Sequence, residues 1–507
     1  MKQKIYSLNN LSKKIFSEKK KFKKIVLCHG VYDLLHIGHI KHLKKAKEYG
    51  DKLIVTLTSD RFVNKGPGKP IFNHSLRSEA IAALETVDYV AINDSPTAIN
   101  AITLLKPDIY CKGKDYKNFD NDISGEIKNE INAIKKIKGS IVFTEELTFS
   151  SSRLINNHTD FHTERQKQIL KKINKITNFK QIKSLIDKIK EFKILVIGET
   201  IIDQYNFCEV LGKSGKEPIL TFKETKRDQY LGGVLSIARN LSQFTDKVTV
   251  ISMLGKKKEH LNEIKKNLPK TIKTNFLFKE KSPTIVKKRY IDDISQSKLL
   301  GIYNINDEIL KKQDELKFQR MLEKEVKKND LVIVSDYGHG LISKNSAEYI
   351  CKNSKFLALN AQVNSSNIGF HTIRNYNKFN TLIINEKEIR HEKRDNISDL
   401  EILIISLSNE KKIDNLIVTK GGDGAVLYKR KIKKFFYVDA FANKIVDKVG
   451  AGDTMLSVIG PCLKLNIDSD TTLLISSLAA SQSVETMGNK VSINKLNMLR
   501  TLENILK

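Results

Sequence analysis

The sequence predicts an α/β protein of two domains, and three observations carry that expectation. The chain has 507 residues, roughly three times the length of a typical domain. Short apolar runs alternate with segments of helical period along most of it, the pattern of a parallel sheet with helices on both faces. One polar, Lys-rich stretch, 157–190, interrupts that alternation. A composition of 40% hydrophobic and 29% charged residues excludes a disordered or low-complexity chain.

From residue 23 to about 155, KKIVLCHG is expected as a strand, HIKHLKKAKEYG as a helix, KLIVTLTSD as a strand and LRSEAIAAL as a helix. Short strands should follow at DYVAI, PDIYCKG and SIVFTEE. The helical spacing of Ile and Leu over 157–190 predicts a helical linker. A second series begins at Phe192 with KILVIGETIID and runs through GGVLSIARNL, KVTVISMLG, DLVIVSDYGHG, TLIINEKE, NLIVTKGGDGAVLY and VDKVGAGDTMLSVIG. The expected domains are 1–156 and 191–507, and no internal repeat relates them.

The net charge of +30 suggests a phosphate backbone as partner. Only 13 of the 88 basic residues are Arg, however, and the lysines spread over the whole length. Residues that fork onto phosphates or read bases favour Arg, so no nucleic acid is expected. No run of eighteen apolar residues exists, which predicts no membrane insertion. The start MKQKIYSLNNLSKK has no apolar signal core, so a cytoplasmic protein is expected. Cys28, Cys111, Cys208, Cys351 and Cys462 form no CxxC pair, so neither a disulfide framework nor a cysteine metal site is expected.

The first candidate site is CHGVYDLLHIGH, residues 28–39. Gly30 and Gly38 let backbone approach a phosphate, and a helix N-terminus adds positive potential. His36 and His39, three residues apart, can both face a triphosphate and stabilise charge at the α-phosphate and the leaving pyrophosphate. The cluster of His29, His36, His39 and His42 lacks acidic or cysteine partners at ligand spacing, which argues against a metal, and His42 is expected as a plain helix-face residue. With NHSLRSEAIAALETVDYV, KPDIYCKGKDY and FSSSRLI downstream, residues 23–156 resemble the HxGH nucleotidyltransferases, in particular the sugar-phosphate branch related to glycerol-3-phosphate cytidylyltransferase. That resemblance implies a Rossmann-like domain whose triphosphate is held by His36, His39 and Arg77. It implies a nucleotide pocket along Lys112, Gly113 and Asp115, with the hydroxyls of Ser150, Ser151 and Ser152 closing over the phosphates. The donor would be ATP or CTP.

The second candidate site is DKVGAGD, residues 447–453, ahead of an apolar helix. Successive N–H groups of Gly450, Ala451 and Gly452 at a helix start suit a migrating phosphoryl group. Asp453 is then placed to take the proton of an attacking hydroxyl. GETIID with Asp203, the pair Gly232 and Gly233, SDYGHG, NEKE and VTKGGDGAVLY accompany it in the order of the ribokinase-like (phosphofructokinase-B) sugar kinases, over about 192–490. This resemblance implies a ribokinase-like α/β sandwich in which Asp203, Gly232 and Gly233 hold the sugar. Asn385 and Glu388 would orient Mg²⁺ and the phosphates, Glu388 through water. Lys420, Gly421, Gly422 and Gly424 would border ATP, and Asp453 would be the base.

Together the halves resemble the bifunctional heptose-7-phosphate kinase/heptose-1-phosphate adenylyltransferase family with the domain order reversed. The resemblance implies sugar phosphate and nucleoside triphosphate substrates, a nucleotide-activated sugar as product, and a homodimer. Two stretches depart from the family: Ser236 stands where heptose kinases carry Asn, and LALNAQVNSSN replaces an acidic turn. Two other readings are open at this stage. One is a nucleotidyltransferase carrying a non-catalytic, kinase-like regulatory or dimerising domain; the other is a basic RNA-binding protein.

Overall fold

The computed structural model describes residues 4–18, 24–63, 69–114, 126–145, 162–364, 366–368, 370–442 and 444–506. The chain forms two compact units, Met1–Thr163 with Leu496–Lys507, and Glu164–Lys495.

The first unit is built on six parallel strands: β1 (Ile5–Ser7), β2 (Ile25–Gly30), β3 (Lys52–Thr58), β4 (Tyr89–Asn93), β5 (Ile109–Gly113) and β6 (Ser140–Thr144), in the order β1-β4-β3-β2-β5-β6. The apolar runs of β2 and β3 are continuous because both faces are covered. Val26, Cys28, Val55 and Cys111 face the helices Ile37–Lys47 and His74–Ala82, whereas Ile25, Leu27, Ile54 and Tyr110 face Leu8–Glu18, Ile99–Leu105 and Glu126–Lys136. From β2 the chain winds outward through β3 and β4, then crosses back to β5 on the other side. The crevice at the C-terminal ends of β2 and β5 is therefore a topological switch point, where open α/β sheets bind ligands.

The second unit holds thirteen strands: β7 (Ile194–Gly198), β8 (Thr200–Lys213), β9 (Leu220–Gly233), β10 (Val248–Gly255), β11 (Lys273–Lys279), β12 (Ile285–Asp292), β13 (Lys298–Asn304), β14 (Leu331–Asp336), β15 (Leu357–Ala361), β16 (Thr381–Asn385), β17 (Asn415–Thr419), β18 (Ala425–Lys429) and β19 (Lys434–Val438). Nine form one sheet, β11-β10-β7-β14-β15-β16-β17-β18-β19, parallel up to β17 and antiparallel beyond it. The other four form a smaller sheet, β13-β12-β8-β9, which the chain enters directly from β7 into β8. Residues 157–190, expected as a linker, contain the helices Glu164–Ile176 and Phe179–Asp187, and both belong to this second unit. Gln166 donates to the Ala440 carbonyl at 2.8 Å and Lys495 to Asp187 at 2.9 Å. Among the described residues no helix is long and apolar enough to cross a membrane.

Candidate active sites

In the first unit, β2 ends at Gly30 and the chain enters the helix Ile37–Lys47 through an N-cap at His36. His36 Nδ1 accepts from the Gly38 N–H at 3.1 Å, so in the neutral ring the proton sits on Nε2, as a donor. The His36 and His39 rings stack with centroids 3.8 Å apart and 20° between planes, and Tyr32 meets His39 edge-on at 5.2 Å. A Cβ on Gly30 would lie 3.0 Å from the Tyr32 ring. Lys112 and Gly113 close the adjacent strand β5, so the two motifs meet at the switch point. Lys112 is buried and its ammonium lies 3.3 Å from the Glu130 carboxylate. Asp115, Ser150, Ser151 and Ser152 lie outside the described residues.

Arg77, which the resemblance assigns to the triphosphate, has its guanidinium engaged within the first unit. Its side chain is fully buried. Nε donates to the Phe72 carbonyl at 2.9 Å, Nη2 to the Thr58 carbonyl at 2.8 Å and to Asp60 at 2.6 Å, and Nη1 to the Val31 carbonyl. The guanidinium thus knots together the loops after β2 and β3, the loops that shape the crevice. Removing the guanidinium leaves the Phe72, Val31 and Thr58 carbonyls and the part-exposed Asp60 carboxylate without their donor and empties a buried site. Arg77→Ala should therefore destabilise the first unit by about 3–5 kcal/mol, seen as a lowered melting transition. A protein of unchanged stability and raised KM for nucleotide would assign Arg77 to direct contact with the triphosphate.

In the second unit the motifs converge on a cleft of about 630 Å³. Its wall includes Asp203, Gly233, Asn385, Glu388, Gly421, Gly422, Gly424, Gly450, Ala451, Gly452 and Asp453. Gly232 lies beneath Asp203, where a Cβ would come within 2.2 Å of Oδ2, and Lys420 is exposed at the loop that borders the cleft. One end is polar, around Asp203; the other is lined by Phe441, Ile445, Val449 and Val484.

Asp453 stands on the first turn of the helix Ala451–Lys464, after Gly450 at φ 86°. Tyr337 Oη and Gln362 Nε2 donate to its Oδ1 at 2.9 and 3.0 Å. No hydrogen bond to Oδ2 comes from the described residues, so that oxygen is left for the cleft. Burial pushes the carboxyl up to about 7, against the lowering effect of the Tyr337 and Gln362 bonds. Asp203 is held at Oδ1 by Arg289 at 2.6 Å and at Oδ2 by Asn489 at 3.1 Å, and Ser236 donates to Asn489 at 3.0 Å. Gly450 must be glycine for two reasons, its positive φ and the 2.1 Å that a Cβ would leave to Asn489 Oδ1.

Asn385 and Glu388 form a capping box at the helix Glu386–Lys393. Glu388 accepts the Asn385 N–H at 2.8 Å and the Val363 N–H at 3.3 Å, and burial pushes it up to about 7. A buried carboxylate facing the cleft with no ion pair among the described residues is a hard oxygen donor suited to Mg²⁺.

Several contributors carry no local motif. Lys287 and Arg289 reach the Asp203 end of the cleft from β12, whose Lys287 pairs in register with Asp203. Gln362 comes from the very stretch that departs from the sugar-kinase pattern. Glu199 is fully buried, accepts the N–H groups of Tyr337 and His339 at 3.0 and 3.2 Å, and so shapes the loop that brings Tyr337 to Asp453. Its position after a strand glycine in GETIID is the only signal the sequence held.

This sheet order, with a small sheet beside a cleft that joins an anchored aspartate to a glycine-flanked helix start, places the second unit among ribokinase-like carbohydrate kinases. Residues 191–496 match the family described as pfkB family carbohydrate kinase, and the chain belongs to it. Residues 27–157 match the cytidylyltransferase-like family, so the transferase-like unit comes first in the chain. Among curated proteins, the chain is similar to the "Bifunctional protein HldE" of Geobacter metallireducens, 45% identical over 115 residues, which are 22% of this chain and 24% of that protein. The protein of the same name from Campylobacter concisus is 41% identical over 138 residues, 27% of this chain and 29% of its own. The chain thus spans about a quarter of the length of these relatives. A solved ribokinase from Thermotoga maritima is similar at 16% identity and a TM-score of 0.46, over 60% of this chain and 98% of its own.

Proposed function

We propose that the chain is a bifunctional enzyme that makes a nucleotide-activated sugar, ADP-heptose-like, for a surface glycan. Residues 191–507 phosphorylate a sugar phosphate with ATP, and residues 1–156 transfer a nucleotidyl group from ATP or CTP to a sugar 1-phosphate, releasing pyrophosphate. The observation that carries the kinase half is the single cleft in which Asp453, with one oxygen left open, stands between the Asp203 pocket and the glycine loops. Asp203, Gly232 and Gly233 hold the sugar. Asp453 takes the proton of the attacking hydroxyl while its oxygen displaces ADP from the γ-phosphoryl group. Gly450, Ala451 and Gly452 cradle that group with backbone N–H donors. Lys420, Gly421, Gly422 and Gly424 border the adenine nucleotide. Glu388, with Asn385, would hold Mg²⁺ through water; bound there, the ion neutralises phosphate charge.

A second cation argues for a phosphorylated acceptor. The Lys287 ammonium makes no hydrogen bond among the described residues and lies 5.6 Å from the centre of the Tyr303 ring, at the sugar end of the cleft. Burial holds it below the ordinary lysine range, a cost that an anionic substrate relieves. Lys287→Ala should raise KM at least tenfold for a sugar phosphate and hardly change it for the unphosphorylated sugar. Equal effects on both would assign Lys287 to the fold.

In the transferase half, His36 and His39 stabilise charge at the α-phosphate as an oxygen of the sugar phosphate attacks and pyrophosphate leaves. Gly30, Gly38, Lys112, Gly113, Asp115, Ser150, Ser151 and Ser152 surround the nucleotide. Val210, Leu211, Leu220, Leu300 and Ile302 leave an exposed apolar face on the small sheet, which supports a homodimer. The protein is proposed to work in the cytoplasm, without nucleic acid.

The pH dependence has a definite sign. Asp453 must be ionised to act, and its carboxyl titrates at about 7, so kinase kcat/KM should fall about tenfold per pH unit below that value. Stability runs the other way. A carboxyl raised in the folded state stabilises it below the unfolded value, and that contribution is lost as pH rises through about 7. A kinase rate flat between pH 5 and 8 would remove Asp453 from the base role.

The direct test is mass spectrometry of the purified chain with a panel of sugar phosphates, including heptose 7-phosphate, and with sugar 1-phosphates plus ATP or CTP. Products that gain one phosphoryl or one nucleotidyl group support the proposal. Absence of both from the whole panel sinks it.

A further inference from the structure

The cysteines lie far apart in sequence, which predicted no cysteine metal site, but the fold brings two of them together. Cys28 on β2 and Cys111 on β5 are register partners on adjacent parallel strands, both fully buried and both on the face covered by the helix Ile37–Lys47. That helix brings His42 over them, and one ligand atom from each of Cys28, Cys111 and His42 lies within 4.8 Å of the other two. The ring is also held from its other side. His42 Nδ1 meets Thr144 Oγ1 at 2.8 Å, and that hydroxyl points on to the Lys112 carbonyl at 3.5 Å. A hydroxyl engaged with one ring nitrogen fixes the imidazole and leaves Nε2 to act as ligand, as in metal-bound histidines.

We propose that Cys28, Cys111 and His42 form a site for one zinc-class divalent ion in the first unit. Zinc–sulfur bonds of about 2.3 Å and zinc–nitrogen bonds of about 2.0–2.1 Å set tetrahedral ligand atoms roughly 3.5–3.8 Å apart. The three side chains therefore need to close by only about an ångström. Two S–H bonds break, their protons leave to water, and two metal–thiolate bonds form. The two thiolates balance the charge of the ion, and the buried Lys112 ammonium nearby is offset by the Glu130 carboxylate 3.3 Å from it. A water completes the fourth position. His42 is half-buried, which gives the ion an entry. The bound ion would pin the helix that begins at His36 and His39 to strands β2 and β5, tying the transferase crevice together independently of the kinase reading.

The probe is Co²⁺, added to the full chain after stripping with a chelator under reductant. Expected are a thiolate-to-cobalt band in the near ultraviolet and tetrahedral d–d bands in the visible, saturating at one equivalent and bleached by Zn²⁺. Cys111→Ser should abolish the charge-transfer band or reduce it by half. His42→Gln, a change at a half-buried position, should shift the d–d bands and weaken binding at least tenfold. Three results would overturn the proposal: no saturable absorption in a chain with native circular dichroism, bands unchanged in both variants, or a Cys28–Cys111 disulfide in protein purified under reductant.

Discussion

Asp453→Asn should lower phosphorylation of the sugar substrate by roughly 10²–10⁴-fold, the usual contribution of a general base. Asn keeps the size and can still accept from Tyr337 and Gln362, which both donate to one oxygen of Asp453. What it loses is the basicity of the second oxygen. ATP binding should persist, because the Gly450–Gly452 turn and the Lys420–Gly424 loop are untouched. Stability should not fall at pH 8, since the wild-type carboxylate is then ionised against its burial. Isothermal titration with ATP and a thermal melt, run beside the rate assay, separate this outcome from misfolding. A variant with wild-type rates would remove Asp453 from the chemistry.

His39→Ala should cost nucleotidyl transfer about 10²–10³-fold, as does removal of one donor from an oxyanion-stabilising site. His36→Ala should cost as much or more. His36 caps its helix through the Gly38 N–H and also stacks on His39, so its loss disturbs both the donor and the turn that presents it. For that reason His39→Ala is the cleaner variant. Pyrophosphate release from a supplied sugar 1-phosphate is the measurement, and kinase turnover in the same preparation is the control. Loss of both reactions together would indicate one shared site or a folding defect.

Much of the fold was legible because parallel strands covered on both faces must be continuously apolar. IVLCHG, KLIVTLT, DLVIV and NLIVT announce themselves in this way, and the glycine turns after them mark where ligands belong. The small sheet escaped detection. Strand β9 carries KETKRDQ, a run whose side chains are mostly exposed, and β13 is exposed along its whole length, so neither shows a buried period. Missing that sheet also meant missing Lys287 and Arg289, which have no motif and reach the cleft only through strand register with Asp203 and Tyr205. The partners of Arg77 were equally hidden from the sequence. The family resemblance assigned Arg77 to the triphosphate, and its partners in the fold are the Phe72, Val31 and Thr58 carbonyls and Asp60, contacts that no local pattern encodes. The pairing of Cys28 with Cys111 is of the same kind, since these neighbours in the sheet are distant in the chain.

The central claim is that one chain carries two independent active sites, and a crossed assay tests it most directly. Wild type, Asp453→Asn and His39→Ala would each be incubated with ATP, Mg²⁺ and the accepted sugar phosphate, and separately with a sugar 1-phosphate and the accepted triphosphate. Mass spectrometry would then quantify the phosphorylated sugar and the nucleotide sugar. The predicted result is a crossed pattern: Asp453→Asn loses only the first product, His39→Ala only the second, and wild type makes both. A wild-type chain that makes only the nucleotide sugar would contradict the claim and leave the second unit a binding or dimerising module.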